Sequence, residues 1–235
     1  MRYSIADIIV DINVRFPRLK KQAEKYIYNG DLPTDVEINI EEAFYEHMLE
    51  KNPQYDYDIL EYLCTGSEFY SSLIQLGGMM LHSSCVVRNN KAYLFSAPCG
   101  TGKSTHTNLW LKRFPDAYIL NDDKPAIRIT KNGIYAYGTP FSGKHDISVN
   151  KGVLVGGICV LKRDTANHIE KMEVCEALHA ILDQTQRPVK EDDMDKLLQI
   201  LDVILCHVPV YKLYCNMDIE AAEVAYNGMK EQKEN

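Results

Sequence analysis

The sequence is poor in the features that mark a specialised chain: one tryptophan in 235 residues, no Cys-x-x-Cys pair, no basic block and no low-complexity tract. Nowhere do about 18 apolar residues run together, so no membrane span is expected. With 26 Lys and Arg against 33 Asp and Glu the net charge is -7, and nothing favours nucleic acid as a partner. The seven cysteines (Cys64, Cys85, Cys99, Cys159, Cys175, Cys206 and Cys215) are scattered and odd in number. Most lie in apolar runs, so the pattern fits buried free thiols in a reducing cytoplasm and argues against a disulfide framework or a zinc site. The opening stretch, MRYSIADIIVDINV, places Asp7 and Asp11 among its apolar residues and does not read as a secretory signal. A cytoplasmic protein is expected.

What is present is an ordinary globular mixture, 46% hydrophobic and 25% charged. The length allows one sizeable core, or a core with an appended subdomain. Residues 1–80 read as an N-terminal accessory layer: a strand near 3–14, a strand at VEINI, and helices near 41–50 and 57–78, the last interrupted by Gly77-Gly78. From about residue 82 the texture becomes β-rich, through SSCVVRN, KAYLFSA, DAYILND, PAIRIT, GIYAYGT and GVLVGGICVLKR. Asn89-Asn90 and Lys131-Asn132-Gly133 are hairpin turns, because Asn and Gly tolerate positive φ. Two helices follow, the second with Met194, Leu197, Leu198, Leu201, Ile204 and Leu205 at helical spacing. A strand at 209–215 and a helix near 218–229 complete an α/β core with a mixed sheet over residues 81–229, and a polar tail, residues 230–235, is expected to fray.

One junction carries chemistry. FSAPCGTGKSTHTNLW joins a β-type run to a helical stretch through small residues, with Ala97 standing where a P-loop has its first glycine. Backbone N–H groups converging on phosphate oxygens require unusual φ at Gly100 and Gly102. In this reading Pro98, Cys99, Gly100, Thr101, Gly102, Lys103, Ser104 and Thr105 form the cradle. Lys103 neutralises the β and γ phosphates, the Ser104 hydroxyl ligates Mg²⁺, and the helix turns its positive end to the anion. Leu109, Trp110 and Leu111 are expected to face a core, and His106 to lie on the helix surface.

An acidic pair follows. DAYILNDDKPAIRI is an apolar strand ending in Asn121-Asp122-Asp123-Lys124, with Asp122 18 residues after Ser104. Two carboxylates beside a phosphate loop can divide two tasks, one holding Mg²⁺ and the other taking a proton from an attacking hydroxyl. Alone, the pair would read first as a solvated turn capped by acids before Pro125, and its place beside the phosphate loop turns the reading to catalysis. GTPFSGKHDISVN, 138–150, is either a surface loop or a second wall of the site, where Lys144 would clamp the γ phosphate and His145 would touch substrate. Arg187, at a helix end, is a solvated cap or a phosphate contact.

This arrangement resembles the HPr kinase/phosphorylase family and its relatives, which share a nucleotide-binding core with ATP-dependent phosphoenolpyruvate carboxykinases. The resemblance covers roughly residues 80–165 and rests on His82 in MLHSSCVV, on GTGKS and on NDDK one strand later. It implies that Lys103 and Ser104 bind phosphate and metal, that Asp122 is the base, that Asp123 serves the metal, and that His82 lies close to the transferring group. The sequence departs from the HPr kinases where Ser83 follows His82, where Thr105 follows Ser104, and where YGTPFSGKHDI replaces a glycine-rich segment. The closer likeness is to the HPr-kinase-related group, which includes kinases that modify small ribosomal peptides.

The expectation is a Mg²⁺- and ATP-dependent kinase acting on a Ser or Thr hydroxyl of a protein or peptide. Residues 1–80 would be a lid, a substrate platform or an oligomer contact, which leaves a homo-oligomer open. A small-molecule kinase, a carboxykinase-like enzyme and a non-catalytic nucleotide-binding protein are the competing readings.

Overall fold

A computed structural model describes residues 1–230; the rest of the expected tail, 231–235, lies outside the described residues. The chain opens with β1 (Arg2–Ile5) and β2 (Ile8–Ile12), an antiparallel hairpin where the sequence suggests one strand. The turn is made by Ala6 and Asp7 at φ 54° and 56°, a left-handed pair without the glycine that usually announces it. After it come α1 (Pro17–Ala23), a 3-10 turn at Glu24–Tyr26, and β3 (Val36–Ile38), which lies parallel to β2. Pro17 starts α1 at a position where its missing N–H costs nothing. Two further helices, α2 (Glu42–Lys51) and α3 (Tyr57–Gln75), complete this layer, and Asp56 caps α3 by accepting from Ile59 N–H at 2.8 Å.

Gly77, at φ 74°, ends the helical stretch short of residue 78 and turns the chain into β4 (Gly78–Met80). A hairpin follows, β5 (Ser83–Arg88) and β6 (Lys91–Ser96), turning at Asn89-Asn90 with φ 48° and 58°. Next come α4 (Lys103–Arg113), β7 (Tyr118–Asn121), β8 (Ala126–Thr130), β9 (Gly133–Tyr137) and the long β10 (Gly152–Arg163). The described chain closes with β11 (His168–Lys171), α5 (Val174–Leu182), α6 (Glu191–His207), β12 (Val210–Cys215) and α7 (Glu220–Lys230).

The second sheet has nine strands in the order β4-β8-β9-β10-β6-β5-β7, with β12 branching from β10 and pairing β11. β10 is parallel to β6 and β12 and antiparallel to β9, so the sheet is mixed. It also curls. β4 pairs with β8 and β5 with β7, and between those pairs Leu81 N–H donates to Pro125 O (3.4 Å) and Ser83 N–H to Asp123 O (3.0 Å). The acidic pair therefore lies at a seam where one ribbon of chain runs beside another.

Strand alternation distributes the cores. On β6, Leu94 faces a cluster with Ile127, Ile158, Leu197 and Leu201, while Tyr93 and Phe95 face α4 and α7 with Trp110, Ala222 and Ala225. A third cluster joins the N-terminal layer to β8 and β9: Tyr3, Ile5, Leu19, Phe69 and Tyr70 pack with Ala126, Tyr137 and Phe141.

Candidate functional site

The phosphate-type loop leaves β6 at Ser96 and enters α4 at Lys103. Gly100 and Gly102 sit at φ 77° and 120°, where an L side chain would be strained. At Gly100 the demand is conformational alone, since an added Cβ would meet nothing within 4 Å. The Lys103 ammonium donates to Ala97 O at 2.8 Å, tying the first helical residue to the start of the loop. Burial lowers the Lys103 pKa, and Cys99, Asp123 and Asp122 oppose that shift. Arg163, at the end of β10, braces the loop from outside through Thr101 O (3.1 Å) and Gly100 O.

The helix behind the loop corrects two expectations. Leu109 and Trp110 are buried but Leu111 is exposed, because three consecutive helical residues sweep too wide an arc to share one face. His106 is buried, not on the surface. Its Nε2 accepts from Trp110 Nε1–H at 3.1 Å, its ring lies 4.5 Å from that of Phe95, and burial pushes its pKa down to about 3.

Asn121 organises the acidic pair. Its amide donates to Thr139 O (3.0 Å) and Oγ1 (3.2 Å), and its Oδ1 accepts the N–H groups of Asp123 (3.0 Å) and Lys124 (2.9 Å). That Asx-type turn holds the two carboxylates in different surroundings. Asp122 Oδ1 accepts from Ser84 Oγ at 2.6 Å, and Ser84 is paired in turn with Thr107 Oγ1 at 2.8 Å. Asp123 faces a lysine and a histidine: Lys124 Nζ lies 2.9 Å from Oδ2 and His82 Nε2 lies 3.4 Å from Oδ1. Burial would raise the Asp123 pKa, but the His82 hydrogen bond and Lys124 outweigh it and hold the carboxyl at about 2.

The segment after β9 is no simple surface loop. Residues 138–142 are buried, and the Phe141 ring packs 5.8 Å from Tyr62, 5.8 Å from Phe69 and 5.5 Å from Tyr70. Gln22 Nε2 donates to Ser142 Oγ (3.2 Å) and Gly143 O (2.7 Å), while Gly143 N–H donates to the Tyr62 hydroxyl (3.0 Å). Farther along, Lys25 pairs with Asp146 at 3.2 Å and the Tyr26 hydroxyl donates to Ser148 Oγ at 3.0 Å. Gly143 turns at φ 75° against Asp123, and a Cβ there would stand 3.1 Å from Asp123 Cβ. The N-terminal layer thus folds this segment over the acidic pair.

One cleft of about 660 Å³ brings these parts together. His82, Lys103, Ser104, Asp122, Asp123 and Lys144 line it, together with Cys99, Gly100, Gly102, Thr105 and His145. Pro98 and Thr101 do not line it. Thr101 N–H closes a turn onto Pro98 O at 3.2 Å, so this part of the loop shapes the backbone. Arg187 is exposed and lies outside the lining. Sequence reasoning missed Arg18 of α1, which lines the cleft with its guanidinium 4.2 Å from the centre of the Tyr62 ring. Four cationic side chains (Arg18, Lys103, Lys124 and Lys144) therefore face two carboxylates in an otherwise acidic protein. Across the loop lies a second hollow of about 480 Å³, walled by Thr105, Leu109, Leu161, Arg163, Asn216 and Met217.

Among the described residues no cluster of three or more His, Cys, Asp or Glu side chains could hold a metal alone, and no helix is long and apolar enough to cross a membrane. Neither a protein-family model nor a curated protein matches the chain. Among solved structures it is similar to the Hpr(Ser) kinase/phosphatase from Coxiella burnetii, with 12% identity and a TM-score of 0.38 over 63% of this chain and 95% of that one.

Proposed function

We propose that the chain is an ATP-dependent kinase that transfers the γ-phosphoryl group to a hydroxyl, most readily a Ser or Thr of a peptide or protein. The observation that carries this reading is the meeting, in one cleft, of a positive-φ loop ending in Lys103 and Ser104 with the differently placed carboxylates Asp122 and Asp123. The loop amides and the start of α4 would receive the β and γ phosphates, and Lys103, Lys144 and Arg18 would balance their charge. The hollow across the loop has the size and mixed walls that suit the nucleoside.

Mg²⁺ bound with the nucleotide would supply charge neutralisation between phosphates, and this chain offers it hard oxygen donors at Ser104 and Asp123. Such an ion takes few protein ligands when phosphates supply the rest, so two donors fit it without a dedicated cluster. Asp123, held ionised to about pH 2, is a poor proton acceptor and a good partner for a cation. Asp122 is assigned as the base. As the acceptor oxygen bonds to the γ phosphorus and the bond to the bridging oxygen breaks, Asp122 takes the hydroxyl proton. His82 holds Asp123 in place beside it.

The test is transfer of labelled γ-phosphate to arrayed Ser- and Thr-containing peptides. Asp122→Asn should lower transfer by roughly 10²–10⁴-fold while the protein stays folded. Transfer unchanged in that variant would make the pair a structural turn.

A further inference from the structure

The N-terminal layer carries a concavity of its own, a groove of about 680 Å³ between β3, α2 and α3. Its apolar lining includes Phe44, Met48 and Leu63, and Phe44 and Leu63 stand 47% and 38% exposed. Glu37, Glu41 and Glu68 also line it, and among the described residues of the lining there is no cation. None of the three carboxylates is in an ion pair among the described residues.

One wall is an open strand edge. β3 has β2 as its neighbour on one side, and Ile38 O is turned to that side, where it accepts from Asn13 N–H at 3.4 Å. Peptide groups alternate along a strand, so those of Glu37 are presented to the other side. The groove also reaches the candidate active site. Leu63 lines both the groove and the cleft that holds Asp122, and its neighbour Tyr62 lines the cleft.

We infer that this groove holds an extended, apolar and positively charged segment of the phosphate acceptor and passes its hydroxyl residue over Leu63 toward Asp122. The inference rests on the kinase reading and names the chemistry of its substrate. A strand edge gives main-chain hydrogen bonds to an extended peptide, the apolar lining receives alternate side chains, and the free carboxylates select Lys and Arg. A nucleic acid would be repelled. A second copy of this chain would bring a net charge of -7 to an acidic groove.

The test is selection of phage-displayed random peptides with a fixed central serine on the full chain and on the Glu37→Lys/Glu41→Lys/Glu68→Lys variant. The parent should enrich peptides in which Lys or Arg alternates with apolar residues. The triple variant should hold synthetic copies of them roughly tenfold or more weakly, as expected for three exposed charge pairs turned repulsive. Phe44→Ser should weaken the same peptides, and both variants should bind Mg-ATP as the parent does. A pool without basic bias, or equal retention by the triple variant, overturns the inference. So does a concentration-dependent dimer in sedimentation that the triple variant abolishes, since the groove then belongs to a second copy. If the parent itself fails to bind Mg-ATP, the kinase reading falls, and the peptide selection still decides what the groove binds.

Discussion

The two walls of the cleft are built in opposite ways. The phosphate-type loop is local: two positive-φ glycines, a lysine at the first helical position, and a carbonyl six residues back that receives its ammonium. The 138–148 segment is made by contacts more than 70 residues distant, from Gln22, Lys25, Tyr26, Tyr62, Phe69 and Tyr70. The first wall needs only backbone conformation and a helix start. The second exists because an aromatic cluster grips Phe141, so the N-terminal layer is a structural part of the site. A lesion in the loop should therefore affect ligand binding with little cost to the fold, while a lesion under the second wall should affect both.

Phe141→Ala should break that contrast most severely. Removing a fully buried ring should destabilise the protein by about 3–5 kcal/mol. Chemical denaturation should show that loss, and transfer at a temperature where the variant is folded should also fall as Gly143 and Lys144 lose their support. A variant as stable as the parent would deny the segment its anchor.

The Asp123 carboxyl gives a smaller and pH-resolved effect. Its pKa is about 2 in the folded protein against 3.8 for the free group, so the folded state binds its proton less readily. The resulting stability is present above about pH 4 and is lost as pH falls toward 2. Its size is about 2 kcal/mol, by the conversion of 1.36 kcal/mol per pKa unit. Asp123→Asn should lower stability at neutral pH by that order and flatten the acid limb of the stability curve. An unchanged acid limb would remove the contacts with His82 and Lys124 from the account.

Gly143→Ala should give the smallest effect. It places a Cβ at positive φ and 3.1 Å from Asp123 Cβ, which should cost on the order of 1 kcal/mol and tilt the acid pair. Thermal melting would read the first consequence and the Mg²⁺ dependence of transfer the second. Wild-type behaviour in both would show that the segment yields freely at this turn.

The same contrast explains what the sequence made legible. The strand, glycine loop and helix of the phosphate-type loop are neighbours in the chain, and Asn89-Asn90 announces its hairpin by residue type. By contrast, the turn at Ala6-Asp7 has no glycine, so two strands read as one. Linear spacing puts His106 on the helix surface because it does not show that Trp110 and Phe95 enclose the ring. Arg163 could be placed against the loop only once the parallel register of β10 and β6 was known. Arg18 reaches the cleft because Tyr62, in a different helix, holds its guanidinium. The Asx-type turn at Asn121 has a local signal, an Asn two residues before the second acid.

The most direct test of the central claim, that this cleft binds a nucleoside triphosphate through the loop, is calorimetric titration of Mg-ATP into the parent, Lys103→Ala and Asp122→Asn. The account expects one site in the parent and nearly equal affinity in Asp122→Asn. It expects a loss of about 2–3 kcal/mol in Lys103→Ala, the range for hydrogen bonds to charged groups. A parent that does not bind Mg-ATP, or a folded Lys103→Ala that binds it undiminished, would contradict it.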